Sequence, residues 1–228
     1  MAGLNVMRHL DIFDPEAFGD RQVGVIGAGA TGSRVVVDLA KLGVKNIHVW
    51  DFDTVEAHNV PNQAYGIGDI GKLKVEALRN RVKADTGTEI SIHNEKVDGS
   101  TSGLGDVVFL LVDKMDVRRE IWDGALKFQP YVSLVIETRM NPFDGRIYAI
   151  NPNKLEDIEL WEGNCYADSE APRSACGATS TLGPVAGLIA ELALLQFVRW
   201  FAIQNGADDK LEPEALFFGK PLSIMANA

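Results

Sequence analysis

The feature that most constrains this chain is Gly27-Ala28-Gly29-Ala30-Thr31-Gly32, set between the apolar run Val23-Gly24-Val25-Ile26 and a stretch with apolar residues at helical spacing (Val35, Val36, Leu39, Leu42). A buried parallel strand that turns through glycines into a helix exposes backbone N–H groups at the positive end of the helix dipole, which suits a phosphate. Alone, this order points to a dinucleotide-binding oxidoreductase. The residues downstream point elsewhere. Asp51-Phe52-Asp53 ends a second strand, then come Asn59, Asn62-Gln63, Gly71-Lys72-Leu73-Lys74, and Asp113 after another apolar strand. Hydride transfer needs neither the lysine nor a second acidic strand end. Cutting ATP between its α- and β-phosphates needs both.

At 228 residues the chain suits one large domain. Residues 1–20 read as an N-terminal segment, 151–177 as a long crossover loop without clear period, and 205–228 as a tail marked by Pro213 and Pro221. Between them strands and helices alternate. Strands are expected at Gln22–Ile26, Asn46–Trp50, Glu89–Asn94, Asp106–Val112, Tyr131–Thr138 and Arg146–Ile150, the last after a turn at Pro142-Phe143-Asp144-Gly145. Helices are expected at Ser33–Leu42, Gly71–Ala84, Met115–Phe128 and Ala178–Gln204. This alternation predicts a Rossmann-like, doubly wound α/β fold with a mostly parallel sheet and helices on both faces.

The formal net charge of −10 disfavours nonspecific binding to nucleic acid or to an anionic membrane. Met1–Asp20 is mixed and charged, unlike a signal peptide. Pro184–Ile203 is strongly apolar but holds Glu191, Gln196 and Arg199, and reads as a buried or interface helix rather than a membrane span. Two cysteines, Cys165 and Cys176, argue against a disulfide framework and for a cytoplasmic protein.

Taken together, the segments GAGATGS, WDFDTVEAHNVPNQ, IGKLKVEAL, LVDKMDVRR, FDGRIYAI and CGATSTLGPVAGLIAEL resemble the E1-like adenylating enzymes, in particular the bacterial MoeB, ThiF and HesA type, from about Arg8 to Arg199. The resemblance implies ATP and Mg²⁺ as cofactors. It also implies a substrate that is the C-terminal carboxylate of a ubiquitin-like or sulfur-carrier protein with a Gly-Gly tail, and a homodimer. It places the nucleotide on Gly27, Gly29, Ala30, Thr31 and Gly32, with Asp51 towards the ribose and Asn59, Gln63 and Lys74 towards the phosphates. Asp53 has two readings of equal weight, a structural cap or a site residue. Asp113 is assigned to Mg²⁺, with capping of the next helix as its structural alternative. Arg118 is a substrate contact or a structural ion pair. Arg8 matches the arginine such dimers insert into the partner's site, and Cys176 lies where several relatives carry an acyl- or sulfur-accepting cysteine; its alternative is a small buried loop residue.

Two departures qualify this reading. The family pattern has an arginine just before the glutamine, where this chain has Asn62. An amide cannot supply a charge-assisted, bidentate phosphate contact, so Arg34 or Lys72 is needed to compensate, or ATP binding is weaker. The two CxxC pairs that hold zinc in many relatives are also missing, and no zinc site is expected. Three functions therefore stand: the adenylyltransferase, a non-catalytic E1-like scaffold subunit, and an NAD-dependent oxidoreductase supported by the glycine loop and Asp51.

Overall fold

The computed structural model describes residues 4–170 and 182–227. Eight strands form one sheet in the order β3-β2-β1-β4-β5-β6-β7-β8. These are β1 (Val23–Ile26), β2 (Ile47–Trp50), β3 (Ser91–His93), β4 (Val107–Leu110), β5 (Leu134–Met140), β6 (Asp144–Ile150), β7 (Glu214–Gly219) and β8 (Leu222–Asn227). The first five pair in parallel and the last three in antiparallel. Every residue of β1 and β4 is buried, which is what near-continuous apolar runs require when helices cover both faces.

Strand periodicity divides the interior into two layers. Val25, Phe109, Ile136 and Ile147 face one side, under the short α1 (Pro15–Phe18), α2 (Gly32–Leu42), α3 (Lys74–Thr86) and the long α6 (Gly183–Gln204). Phe13, Phe18, Phe197 and Phe201 interlock there at centroid distances of 4.8–5.8 Å. Val108, Val135 and Tyr148 face the other side, against Trp122 and Trp161. By length and composition α6 could cross a membrane. Here Ile189, Ala193, Phe197 and Phe201 are buried in the core, so the helix packs as an interior element.

Three expected segments differ. The stretch 151–177 is not a plain loop: α5 (Leu155–Gly163) occupies its first part, with Ile158 and Trp161 buried. The tail 205–228 is not irregular, because β7 and β8 form a hairpin that extends the sheet. The helix expected at Met115–Phe128 ends early. α4 spans Met115–Ile121 and widens into a π-turn at Trp122–Leu126, where the Gly99 and Gly124 backbones are in contact and leave no room for a side chain.

The chain leaves β1 towards β2 on one side, and β4 lies on the other. The gap between the carboxyl ends of β1 and β4 is thus the point where the winding reverses, the usual ligand crevice in open α/β sheets. The glycine loop follows β1, and Asp113 follows β4.

Candidate active site

The loop from Gly27 to Gly32 is shaped by its neighbours. Gly27 has φ +97°, and a Cβ there would stand 2.8 Å from the Leu111 carbonyl oxygen. A Cβ on Gly32 would stand 1.9 Å from the Gly27 carbonyl oxygen. Gly29, by contrast, has nothing within 4 Å of its missing side chain and faces open space. The amides of Gly29, Ala30, Thr31 and Gly32 have no acceptor among the described residues. No side chain caps α2, and the buried Thr31 Oγ1 has no partner. Four unclaimed donors at a helix N-terminus form an anion-binding concavity.

Asp51 braces this loop. Its Oδ2 accepts from the Ala28 amide at 2.7 Å and its Oδ1 from the Asp53 amide at 2.8 Å. Burial pushes its pKa up; the Lys74 ammonium and these two amides oppose that shift. Lys74, at the first turn of α3, is 7% exposed and its Nζ donates to Asp53 Oδ2 at 2.8 Å. The side chain of Asp53 is therefore the resting partner of the lysine. The Asp53 carbonyl oxygen also accepts from the Lys74 amide at 3.0 Å, fixing the start of α3.

Tyr65, which sequence reasoning passes over, donates its hydroxyl proton to the Ala28 carbonyl oxygen at 2.8 Å, and burial pushes its pKa well above the usual tyrosine value. Tyr65→Phe is expected to cost about 0.5–1.5 kcal/mol of stability and to raise the Michaelis constant for nucleotide, since the loop loses a tether. Thermal melts and nucleotide titrations check both; an unchanged nucleotide constant removes Tyr65 from loop positioning. Ser33 is a second such tether, its Oγ accepting from the Ala64 amide at 3.0 Å.

The segment between Val55 and Tyr65 lies against α2 and the start of α6. Asn59 is 8% exposed and its Oδ1 accepts from the Glu56 amide at 2.9 Å, so its amide NH₂ is the end left to donate. Gln63 carries a buried Oε1 without a partner. Asn62 sits beside Gly183, its Oδ1 3.6 Å from where a Cβ on that glycine would stand.

Asp113 is exposed and makes no hydrogen bond or ion pair among the described residues. It lies two residues beyond Leu111, whose backbone closes on Gly27. Capping of α4, its structural alternative, falls to Asp168, whose Oδ1 accepts from the Met115 amide at 2.7 Å. Arg118 is structural: it is buried, pairs with the fully buried Glu137, and donates from Nε to the Val112 carbonyl oxygen at 2.7 Å. It thereby holds the strand end that carries Asp113. Nothing local in the sequence marks Glu137 or Asp168 as partners.

Arg8 is exposed, and its neighbour His9 contacts the Leu42 carbonyl oxygen at 3.1 Å, at the far end of α2 from the glycine loop. Eleven helical residues span about 16 Å, so Arg8 stands well away from the loop of its own chain. Cys176 lies outside the described residues. Cys165 is half-buried, with burial pushing its thiol pKa up, and its Sγ donates to the Trp161 carbonyl oxygen at 3.4 Å. Among the described residues no group of three or more His, Cys, Asp or Glu side chains could hold a metal ion.

Fold and site together define a Rossmann-like nucleotide-binding protein of the E1-like adenylating class. The chain belongs to the ThiF family, whose profile matches residues 12–221. It is 24% identical over 211 residues to the sulfur carrier protein ThiS adenylyltransferase of Escherichia coli K12, covering 88% of this chain and 79% of that protein. It is 30% identical over 193 residues to the adenylyltransferase and sulfurtransferase uba4 of Pyricularia oryzae, covering 78% of this chain but 38% of that one. Among solved structures, E. coli MccB crystallised with ATP superposes with a TM-score of 0.67 at 15% identity, covering 93% of this chain and 65% of MccB. That likeness carries the fold. The chain spans under two thirds of MccB and of uba4.

Proposed function

We propose that the protein is an ATP-dependent adenylyltransferase that activates a C-terminal carboxylate, that of a ubiquitin-like or sulfur-carrier protein with a Gly-Gly tail or of a peptide, as acyl-AMP. The observation that carries this reading is the set of four amides at the α2 N-terminus left unclaimed among the described residues, with Lys74 on one flank and Asp113, likewise without a partner among them, on the other. Hydride transfer requires neither flank. The names of the ThiS and uba4 relatives support the same chemistry.

The attacking carboxylate is ionised at neutral pH, so no general base is needed. The loop amides hold phosphate oxygens, Asp51 accepts from the ribose hydroxyls, and Lys74 exchanges Asp53 for the triphosphate. Positioning and charge neutralisation then carry the rate. Asp113 fits Mg²⁺, being an exposed carboxylate that makes no ion pair among the described residues, and the ion would neutralise charge on the departing pyrophosphate. Arg8, too far from its own loop, would serve a partner's site in a homodimer. Exposed Met7, Leu10, Ile12 and Leu195 support such a dimer. Cys176 is the proposed acceptor for the acyl group, and the cytoplasm the proposed setting.

The test is pyrophosphate exchange into ATP in the presence of Gly-Gly-tailed carriers. Wild-type protein is expected to exchange, and Asp113→Asn to lose most Mg²⁺-dependent turnover at an unchanged melting temperature. Absence of exchange with every carrier would favour the scaffold reading, for which Asn62 is the supporting residue. Full activity in the asparagine variant would exclude Asp113 from the metal side.

A further inference from the structure

Close in sequence to the glycine loop stands a guanidinium that makes no salt bridge among the described residues. Arg34 stands on the first turn of α2, three residues beyond Thr31, and its buried Nε has no hydrogen-bond partner among the described residues, nor does the side chain make a salt bridge there. A buried donor of this kind is costly when left unpaired, so its presence calls for a ligand. Its guanidinium packs against Gly187, where a Cβ would stand in ordinary van der Waals contact, 3.6 Å from Arg34 Nη1 and 3.8 Å from its Cζ. One helical turn earlier on the same face of α6, Gly183 leaves room for the Pro61 carbonyl oxygen, 2.8 Å from where a Cβ would stand, with Asn62 Oδ1 at 3.6 Å. Arg34 and Asn62 thus lie against adjacent turns of α6, about 6 Å apart along the helix. The same region holds the other orphaned polar atoms of the site, Thr31 Oγ1 and Gln63 Oε1.

We propose that Arg34, packed against Gly187, supplies the charged donor to the nucleotide's polyphosphate that Asn62 cannot. This rests on the adenylyltransferase reading. A planar guanidinium presents donors in a fork that matches phosphate oxygens, and an anion there satisfies Nε. The acidic groups that Arg34 also faces, Asp38 and Glu191, lie further along α2 and α6; the burial of Glu191 and its neighbour Asp38 push the Glu191 pKa up, and Arg34 acts against that. A merely structural role for Arg34 would be to balance this pair.

The experiment compares wild type, Arg34→Ala, Arg34→Lys and Arg34→Ala/Asn62→Arg for binding of Mg-ATP, inorganic tripolyphosphate and adenosine, with melting temperatures alongside. Arg34→Ala should weaken ATP and tripolyphosphate about tenfold or more while leaving adenosine unchanged, as loss of one charge-assisted contact dictates. Arg34→Lys should recover part of the loss, and the added Asn62→Arg most of it, because it places a guanidinium one turn away. Equal binding of ATP by Arg34→Ala and wild type overturns the proposal, as does a fall in melting temperature with parallel loss of all three ligands, which would assign Arg34 to the Asp38–Glu191 pair. Wild-type protein that binds neither ATP nor tripolyphosphate overturns the adenylyltransferase reading itself.

Discussion

Lys74→Ala is expected to lower pyrophosphate exchange by about 10²–10³-fold, the usual loss when one preorganised donor to developing charge is removed. The physical reason lies in how the ammonium is stored. Lys74 is 7% exposed, and its Nζ is held at 2.8 Å by Asp53, whose own side chain is 54% exposed. The lysine is thus desolvated and aimed in advance, while its present partner can turn to solvent when a triphosphate arrives. Little reorganisation remains for the reaction step. The variant should keep its fold, because the backbone bond from Lys74 N to Asp53 O survives the substitution. Lys74→Arg should retain part of the activity. Exchange close to the wild-type rate in the alanine variant, measured at saturating Mg-ATP, would remove Lys74 from the phosphate site.

The largest expected effect on stability belongs to Glu137. It is fully buried on β5 and receives bonds from Arg118, from Arg139 Nε at 2.9 Å and from Trp161 Nε1 at 3.2 Å. Arg139 also lies over the ring of Tyr148, its Cζ 4.6 Å from the centroid. Glu137→Gln removes the negative charge shared by the buried Arg118 and the largely buried Arg139 and is expected to cost about 3–5 kcal/mol, since desolvated charges left without a counter-ion are expensive. Urea unfolding followed by tryptophan fluorescence measures this, Trp122 and Trp161 being buried in the same layer. Activity should fall as well, because Arg118 bonds the Val112 carbonyl just ahead of Asp113. A midpoint unchanged from wild type would show that this network contributes nothing net.

Much of the architecture is legible in the residues alone. β1 and β4 read as buried parallel strands because both are continuous apolar runs, and the helix after the glycine loop shows its face at Val35, Val36 and Leu39. The crevice follows from the alternation of strands and helices. α5 escapes a sequence reading because its apolar signal is thin: it buries Ile158 and Trp161, and its third buried residue is an aspartate that accepts from the Asn151 amide. The β7–β8 hairpin escapes it because Pro213 and Pro221 bracket β7 and read as breakers. In the structure they flank the strand and its turn, where no ladder bond is lost.

The sequence by itself determined the glycine loop and the acidic strand ends, because each of these belongs to a contiguous strand–turn unit whose meaning is local, and it singled out Lys74 through the family resemblance. Tertiary structure alone decided which charges were spent and which were left over. Arg118 and Arg34 look alike as arginines on helices, yet one closes on Glu137 from a neighbouring strand and the other rests against Gly187 with no salt bridge among the described residues. Asp113 and Asp168 could each have capped α4, and it is Asp168, distant in sequence, that does. Partner choice among buried ionisable groups depends on which segments the packed core brings together, and one short window of residues cannot carry that information.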